Sequence, residues 1–324
     1  MNTLGKVGLF GAAGAAGHRI AAALSAAGRH YRAIGRSRAP LEAAFGRDPH
    51  AEIVTWNPDD PSSVIAAAAG LHTAIYLVGV PYDQFASHPP LMQKTLDGLI
   101  AAGVEQLILI GTVYPYGRPH GNPVTEAHPR EPHTFKGKMR LAQENLVLDA
   151  HGRSGLSTLV LRLPDFYGPG VERSFLDGVF KGATTGGRAQ MIGPIDVPHE
   201  FVFLPDIGPV VETLTRTPNA FGRWLHLAGA GIITPRAVAG KAYALAGREP
   251  KLMVAGKTML RVLGLFNPLM RELVEMHYLL TDPVILDDTA LRALIGPFRK
   301  TSYDEGIRLS HEAACAANTL AAPA

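Results

Sequence analysis

The chain has 324 residues, 47% hydrophobic and 18% charged, with a formal net charge of +3. That apolar fraction excludes a disordered chain, and a single cysteine, Cys315, excludes a disulfide scaffold and any cysteine-based zinc or iron–sulfur site within one chain. The basic bias is mild and comes with no Lys/Arg block or basic–aromatic stripe, so no nucleic-acid partner is expected.

The front half alternates two kinds of segment. Lys6–Phe10 is a short apolar run ended by glycine, the pattern of a buried parallel strand. Its flank has the outline of a secretory leader, but Gly11, Gly14 and Gly17 break the run and His18-Arg19 follow at once, which favours a strand and a helix start. His18–Ala27 reads as a helix stopped by Gly28. Tyr31–Ile34 and Ile53–Trp56 read as strands, and Pro61–Ala69 as a helix with Asp60 at its N-cap and Gly70 as its stop. Thr73–Val78 is a strand, Pro90–Ala102 a helix, Gln106–Ile110 a strand, Phe135–His151 a long helix and Leu156–Leu161 a sixth strand. Such alternation predicts an α/β fold, a doubly wound parallel sheet with helices on both faces and ligands beyond the C-terminal strand ends.

After Leu163 the rhythm changes. Residues 164–198 are rich in Gly, Pro and polar side chains; Phe201–Leu204 and Trp224–Leu227 read as strands. From Thr234 onward helical patterns return without clear strand partners, and Met259–Leu265 and Leu269–Leu280 are notably apolar. The apolar stretch Lys251–Leu280 is expected to form a small packed core or a dimer surface, with an apolar substrate pocket as the sharper alternative. The organisation expected is a Rossmann domain over residues 1–163, with 200–230 returning to its sheet, and a discontinuous substrate cap over 164–199 and 231–324. No window reaches the roughly eighteen uninterrupted apolar residues of a membrane span, so a cytoplasmic setting without a membrane partner is expected.

Gly11-Ala12-Ala13-Gly14-Ala15-Ala16-Gly17 joins the first strand to the first helix. Gly11 permits a tight turn, Gly14 lets backbone N–H groups approach a pyrophosphate, and Gly17 lets helix and strand pack closely. The glycine pattern alone is weak; its place between strand and helix makes it a dinucleotide loop. The end of the second strand reads Gly35-Arg36-Ser37-Arg38, with no acid for the adenine ribose hydroxyls. Arg36 and Ser37 suit a 2′-phosphate, which favours NADP over NAD.

These motifs, taken with Trp56-Asn57-Pro58-Asp59-Asp60, Tyr76-Leu77-Val78-Gly79-Val80, Thr112-Val113-Tyr114-Pro115-Tyr116-Gly117, Arg162-Leu163-Pro164-Asp165-Phe166-Tyr167-Gly168-Pro169 and Phe201-Val202-Phe203-Leu204-Pro205-Asp206-Ile207, resemble the extended short-chain dehydrogenase/reductase family with its epimerase/dehydratase-like and atypical members. The resemblance assigns Ala15, Ala16, Asn57, Val78, Gly79 and Pro164 to the cofactor alongside the glycines, and places Thr112 at the family's catalytic Ser/Thr. The departure is the family's Tyr-x-x-x-Lys. The long helix has no Tyr. Aligned through Glu144, it puts Arg140 at the Lys position and Lys136 at the Tyr position; aligned through Phe135, it puts Met139 where Lys belongs. The first register keeps a cation near the ribose, with Lys136 as a proton relay and Arg140 holding the cofactor, against the plain alternative of a solvated cationic face. Tyr114 or Tyr116 offers a phenol from the loop after the fifth strand.

His199 stands where the family's nucleotide-sugar enzymes carry a diphosphate-gripping Arg, and Asp165 lies beside the substrate cleft in family terms, as a functional carboxylate or a helix cap. His72, His120, His128 and His133 share no helix spacing, so no metal site is expected, and no serine sits in a Gly-x-Ser-x-Gly elbow. The leading expectation is an NADP-dependent oxidoreductase for a small, mostly apolar carbonyl, alcohol or activated alkene. The alternatives are a non-catalytic NADP-binding sensor or scaffold and a nucleotide-sugar epimerase or dehydratase. The resemblance implies a homodimer through the helices at 90–102 and 135–151, with Leu91, Leu96, Leu99 and Leu141 either serving that contact or facing the sheet.

Overall fold

The computed structural model describes residues 5–171 and 174–321. The N-terminal alternation runs β1 (Val7–Phe10), α1 (Ala15–Ala26), β2 (Tyr31–Gly35), α2 (Arg38–Phe45), β3 (Ala51–Thr55), α3 (Pro61–Ala68), β4 (Thr73–Tyr76), α4 (His88–Ala101), β5 (Gln106–Thr112), α5 (Phe135–Asp149) and β6 (Ser157–Leu163). Then come β7 (Asp165–Tyr167), α6 (Asp177–Thr185), β8 (Ala189–Ile192), β9 (His199–Phe203), α7 (Ile207–Leu214), β10 (Arg223–His226), β11 (Ile232–Ile233), α8 (Pro235–Leu245) and β12 (Leu252–Ala255). The chain closes with α9 (Lys257–Leu263), α10 (Pro268–Met276), α11 (Tyr278–Thr281), α12 (Thr289–Ile295) and α13 (Tyr303–Ala321).

Seven strands form one parallel sheet in the order β10-β6-β5-β4-β1-β2-β3. Strands buried on both faces read as unbroken apolar runs: β1 is Val-Gly-Leu-Phe with every residue buried. One apolar layer, with Leu9, Ile20, Leu24, Ile207 and Val211, packs α1 and α7 on one face; the other, with Phe10, Val64, Leu96, Leu99 and Val147, packs α3, α4 and α5 on the opposite face. Each such buried side chain contributes about 1.5–3 kcal/mol relative to exposure, so the sheet rests on two cores. The order reverses between β4 and β1, which places the crevice of the switch point beside the loop after β1.

The first helix starts at Ala15 rather than His18, because Gly14 serves as its N-cap. Asp60 caps α3 as expected, accepting from Ser62 N at 2.9 Å. Helix α2 has no counterpart in the sequence reading: only Leu41 and Phe45 of its eight residues are buried, too short an apolar stripe to register. Of residues 200–230, only β10 joins the seven-stranded sheet. Strand β9 instead pairs with β7 and β11, and β8 with β12, so the late helical region does have strand partners. Asp165 opens β7, which corrects its reading as a helix cap. Leu96 and Leu99 turn into the core against the sheet, the second of the two roles open to them, and so leave no dimer contact at those positions. The stretch 251–280 is not a packed core throughout: Met276, Tyr278, Leu279 and Leu280 are buried, but α9 and the start of α10 expose their apolar side chains.

Candidate active site

The loop after β1 follows from steric limits. Gly11 has φ +90°, and a Cβ there would stand 3.1 Å from the Leu77 carbonyl carbon and the Val78 nitrogen of the neighbouring β4 loop. At Gly17 a Cβ would lie 2.1 Å from the Ala12 carbonyl oxygen, so the helix sits on its own loop only because that position lacks a side chain. A Cβ at Gly14 would meet only the Gly11 carbonyl oxygen, at 3.5 Å, and the glycine itself is exposed. No side chain caps α1 and its first turn carries no acid, so its first N–H groups and helix dipole are available to an anion. This is the cradle a pyrophosphate needs. Ala15 and Ala16 form the first turn, half-buried, and Val78 and Gly79 line the end of β4, the latter exposed.

Arg36, Ser37 and Arg38 are exposed beyond β2. Arg38 is engaged by Glu42 at 2.7 Å, one turn along α2. Asn57 is exposed, and its side-chain oxygen accepts from Asp59 N at 3.0 Å to shape the turn after β3. Pro164 is buried between β6 and β7.

Helix α5, capped by Thr134 accepting from Gly137 N at 3.1 Å, turns Lys136, Arg140, Gln143, Glu144 and Val147 inward. The expectation of a solvated cationic face therefore holds for Lys138, which is exposed, and fails for the other two. Lys136 is 1% exposed; its Nζ donates to Glu275 at 2.7 Å and to Glu272, both on α10, and Glu275 also accepts from the Lys136 backbone N at 3.0 Å. Two of its three ammonium donors are committed to carboxylates. Arg140 points between α4 and β5: it donates to Gln143 at 2.8 Å and to the Ile110 carbonyl at 3.4 Å, and lies 3.5 Å from His88 Nδ1. Burial, and then the Arg140 charge, push the His88 imidazole down to about 3, so it is neutral beside the guanidinium.

A phenol stands nearby, supplied by other elements. Tyr82, on a 3-10 turn after β4, shares a 3.0 Å hydrogen bond with Tyr114 beyond β5. The Lys136 ammonium lies 5.8 Å from the Tyr82 and Phe85 ring centres. Burial raises both phenols; the Asp165 charge raises them further, while Arg140 acts to lower them. The Asp165 carboxyl is itself pushed up to about 7 by desolvation, which places its proton exchange at neutral pH. Thr112 Oγ1, half-buried at the end of β5, accepts from Tyr114 N at 3.4 Å.

His199 is fully engaged. Its two ring nitrogens face the Val197 and Leu279 carbonyls at 2.9 and 3.0 Å, and burial lowers its pKa. A neutral imidazole has one N–H, which donates to one of these carbonyls while the other carbonyl walls off the second nitrogen; the ring is enclosed between β9 and α11, which corrects its assignment to substrate. Behind the site, Arg162 and Glu144 form a buried ion pair, with Nε–Oε1 at 3.1 Å, and Arg162 also donates to Tyr116, whose hydroxyl meets His226. Tyr116 is thus a supporting residue rather than a second phenol of the cleft.

The structure brings together Thr112, Tyr114, Lys136, Arg140 and Asp165 at the C-terminal edge of the sheet, where the dinucleotide loop also lies. Sequence reasoning missed Tyr82, His88, Glu272 and Glu275. The signal for the glutamates was present: they are the first acids after a cation-rich run and stand three apart, on one helical face. Among the described residues no group of His, Cys, Asp or Glu could hold a metal ion.

Comparison with known proteins agrees with this geometry. The profile of the NAD dependent epimerase/dehydratase family matches residues 7–222. A dTDP-6-deoxy-L-talose 4-dehydrogenase (NAD(P)(+)) of Kitasatospora kifunensis is 27% identical over 219 residues, 62% of this chain and 67% of the relative. The fold is similar to UDP-glucuronic acid 4-epimerase from Bacillus cereus in complex with NAD, with a TM-score of 0.79 at 16% identity over 95% of this chain and 98% of the other. It is similar also to dTDP-glucose 4,6-dehydratase from Streptomyces venezuelae with NAD bound, with a TM-score of 0.81 at 16% identity over 97% and 98%.

Proposed function

Because the chain belongs to the NAD-dependent epimerase/dehydratase family of NAD(P)-dependent enzymes, we propose that it is an NADP-dependent oxidoreductase for a small, mostly apolar carbonyl, alcohol or activated alkene. The observation that carries this reading is the hydrogen-bonded pair Tyr82–Tyr114, with the Asp165 charge acting on both, which supplies the phenols that α5 lacks. Gly11, Gly14 and Gly17 and the first turn of α1 would hold the pyrophosphate, and Arg36 and Ser37 the adenosine 2′-phosphate. Bound there, NADP supplies the hydride couple.

Carbonyl reduction requires one hydride on carbon and one proton on oxygen. In this reading Thr112 orients the oxygen, Tyr82 exchanges its proton with Tyr114 hydrogen-bonded behind it, and the Asp165 charge acts on both phenols. Lys136, gripped by Glu272 and Glu275, positions the tyrosine pair and joins the cap to α5. Arg140, turned between α4 and β5, tunes the phenols by its charge rather than holding the cofactor.

Two other readings have support of their own. The absence of a Tyr from α5 favours a non-catalytic NADP sensor. The relatives named above act on nucleotide sugars, which favours a diphosphate-linked substrate. The test is NADPH consumption with a panel of ketones, aldehydes and enones, and conversion of UDP- and dTDP-sugars. Turnover of an apolar carbonyl that falls about 100-fold or more in Tyr82→Phe, with NADPH binding intact, is the expected result. Full activity in Tyr82→Phe with loss in Lys136→Met returns the relay to Lys136. NADPH binding without any turnover selects the sensor.

A further inference from the structure

Twelve large apolar side chains are exposed among the described residues, and eight of them, Met253 through Leu269, lie in the segment from β12 to the first turn of α10. Their apex is Leu265 and Phe266, 77% and 86% exposed. The fold presents this apex deliberately. Gly264 lets α9 and α10 touch, since a Cβ there would lie 2.9 Å from Arg271 Cα. Asn267 then starts α10 by accepting from Leu269 N at 2.9 Å, so the two residues between them have nowhere to turn but outward. The inner side of the same hairpin is fixed: Leu260 and Met276 are buried, and Glu272 and Glu275 grip Lys136. Val262, Met259 and Leu269 extend the outer surface. Soluble proteins rarely leave so contiguous an apolar patch uncovered without a partner for it.

The charge around the patch selects the partner. Residues 250–271 include Lys251, Lys257, Arg261 and Arg271, all exposed, and no Asp or Glu; Arg271 lies 3.7 Å from the flanking Glu272, while Lys257 and Arg261, nearest the apex in the chain, pair with no carboxylate among the described residues. A two-fold contact centred on the tip would gather Lys257 and Arg261 of both copies, none of them paired with a carboxylate among the described residues. An apolar tip rimmed by exposed cations fits an anionic lipid surface, where Leu265 and Phe266 enter the headgroup–acyl boundary and the Lys and Arg side chains meet the phosphates. We propose that the α9–α10 hairpin docks this protein peripherally on anionic membranes. Such docking needs no spanning segment, and none of the described helices is long and apolar enough to cross a membrane. It is independent of the reading of the active site.

The test is co-sedimentation of the full chain with phosphatidylcholine vesicles with and without phosphatidylserine. Binding is expected only with phosphatidylserine, weakening with added salt. Both Leu265→Glu/Phe266→Glu and Lys257→Glu/Arg261→Glu are expected to reduce it by at least about tenfold, with an unchanged melting temperature. Sedimentation velocity is run on the same proteins. Failure of the wild type to bind phosphatidylserine vesicles overturns the proposal. So does a wild-type dimer that Leu265→Glu/Phe266→Glu converts to monomer, which would make the patch a contact between copies.

Discussion

Replacing Arg162 by leucine is expected to destabilise the protein by about 3–5 kcal/mol, read as a fall in the midpoint of urea unfolding at unchanged slope. Arg162 is completely buried, and its guanidinium donates to Glu144 and Tyr116 while lying 5.2 Å from the Trp224 ring centre. Removing it leaves the Glu144 carboxylate, itself buried, with Arg130 at 3.9 Å as its remaining ion pair among the described residues and the Arg140 charge farther off. The uncompensated charge dominates the loss, because a buried ion pair contributes little net stability but either partner alone is costly. Arg162→Leu/Glu144→Leu should therefore recover much of the loss. A double variant no more stable than Arg162→Leu would mean that the hydrogen bond to Tyr116, rather than the charge, holds this layer together.

Asp165→Asn should act in the opposite direction. Desolvation raises the Asp165 carboxyl to about 7, above its ordinary value of 3.8. Between those two values the folded protein binds more protons than the unfolded chain, so stability falls as pH rises through the window and the penalty is complete above the folded value. The amide removes that penalty. Relative to wild type, Asp165→Asn is expected to gain roughly 2–4 kcal/mol at pH 8 and almost nothing at pH 4, measured as unfolding midpoints across that range. Glu200 is also pushed up to about 7 by burial, so it shapes the absolute pH profile of both proteins; only the difference between them isolates Asp165. A constant difference at all pH values would show that the gain comes from packing and not from the charge. Asp165 is thus a stability cost at the C-terminal strand edge, the kind of cost that a site retains for its chemistry.

Much of the scaffold was legible in the chain. Buried parallel strands are apolar on both sides, so β1, β4 and β6 stand out as runs, and the glycines between β1 and α1 mark the only turn geometry that lets helix and strand close over a phosphate. Short elements with one buried flank, such as α2 and β12, carry too little pattern. The placement of β9 was hidden for a different reason: the run 201–204 identifies a strand but not the sheet it joins. The cluster around Lys136 was the least legible. Tyr82, Lys136, Glu272 and Glu275 come from segments as much as 193 positions apart, and nothing local distinguishes a lysine that α10 will bury from Lys138, which it leaves in water. His199 shows the converse, since a position borrowed from relatives says nothing about the two carbonyls that occupy its ring.

In the function proposed above, the loop after β1 and the acid-free end of β2 form an NADP site. Titration of the purified protein with NADPH and with NADH, followed by quenching of Trp56, which packs 5.0 Å from Phe10 at the strand ends, tests it most directly. NADPH is expected to bind tighter than NADH by at least about tenfold. Loss of that preference is expected in Arg36→Asp and loss of both ligands in Gly17→Val, where the new side chain meets the Ala12 backbone. Equal or tighter binding of NADH by the wild type, or a preference that survives Arg36→Asp, would contradict an NADP site.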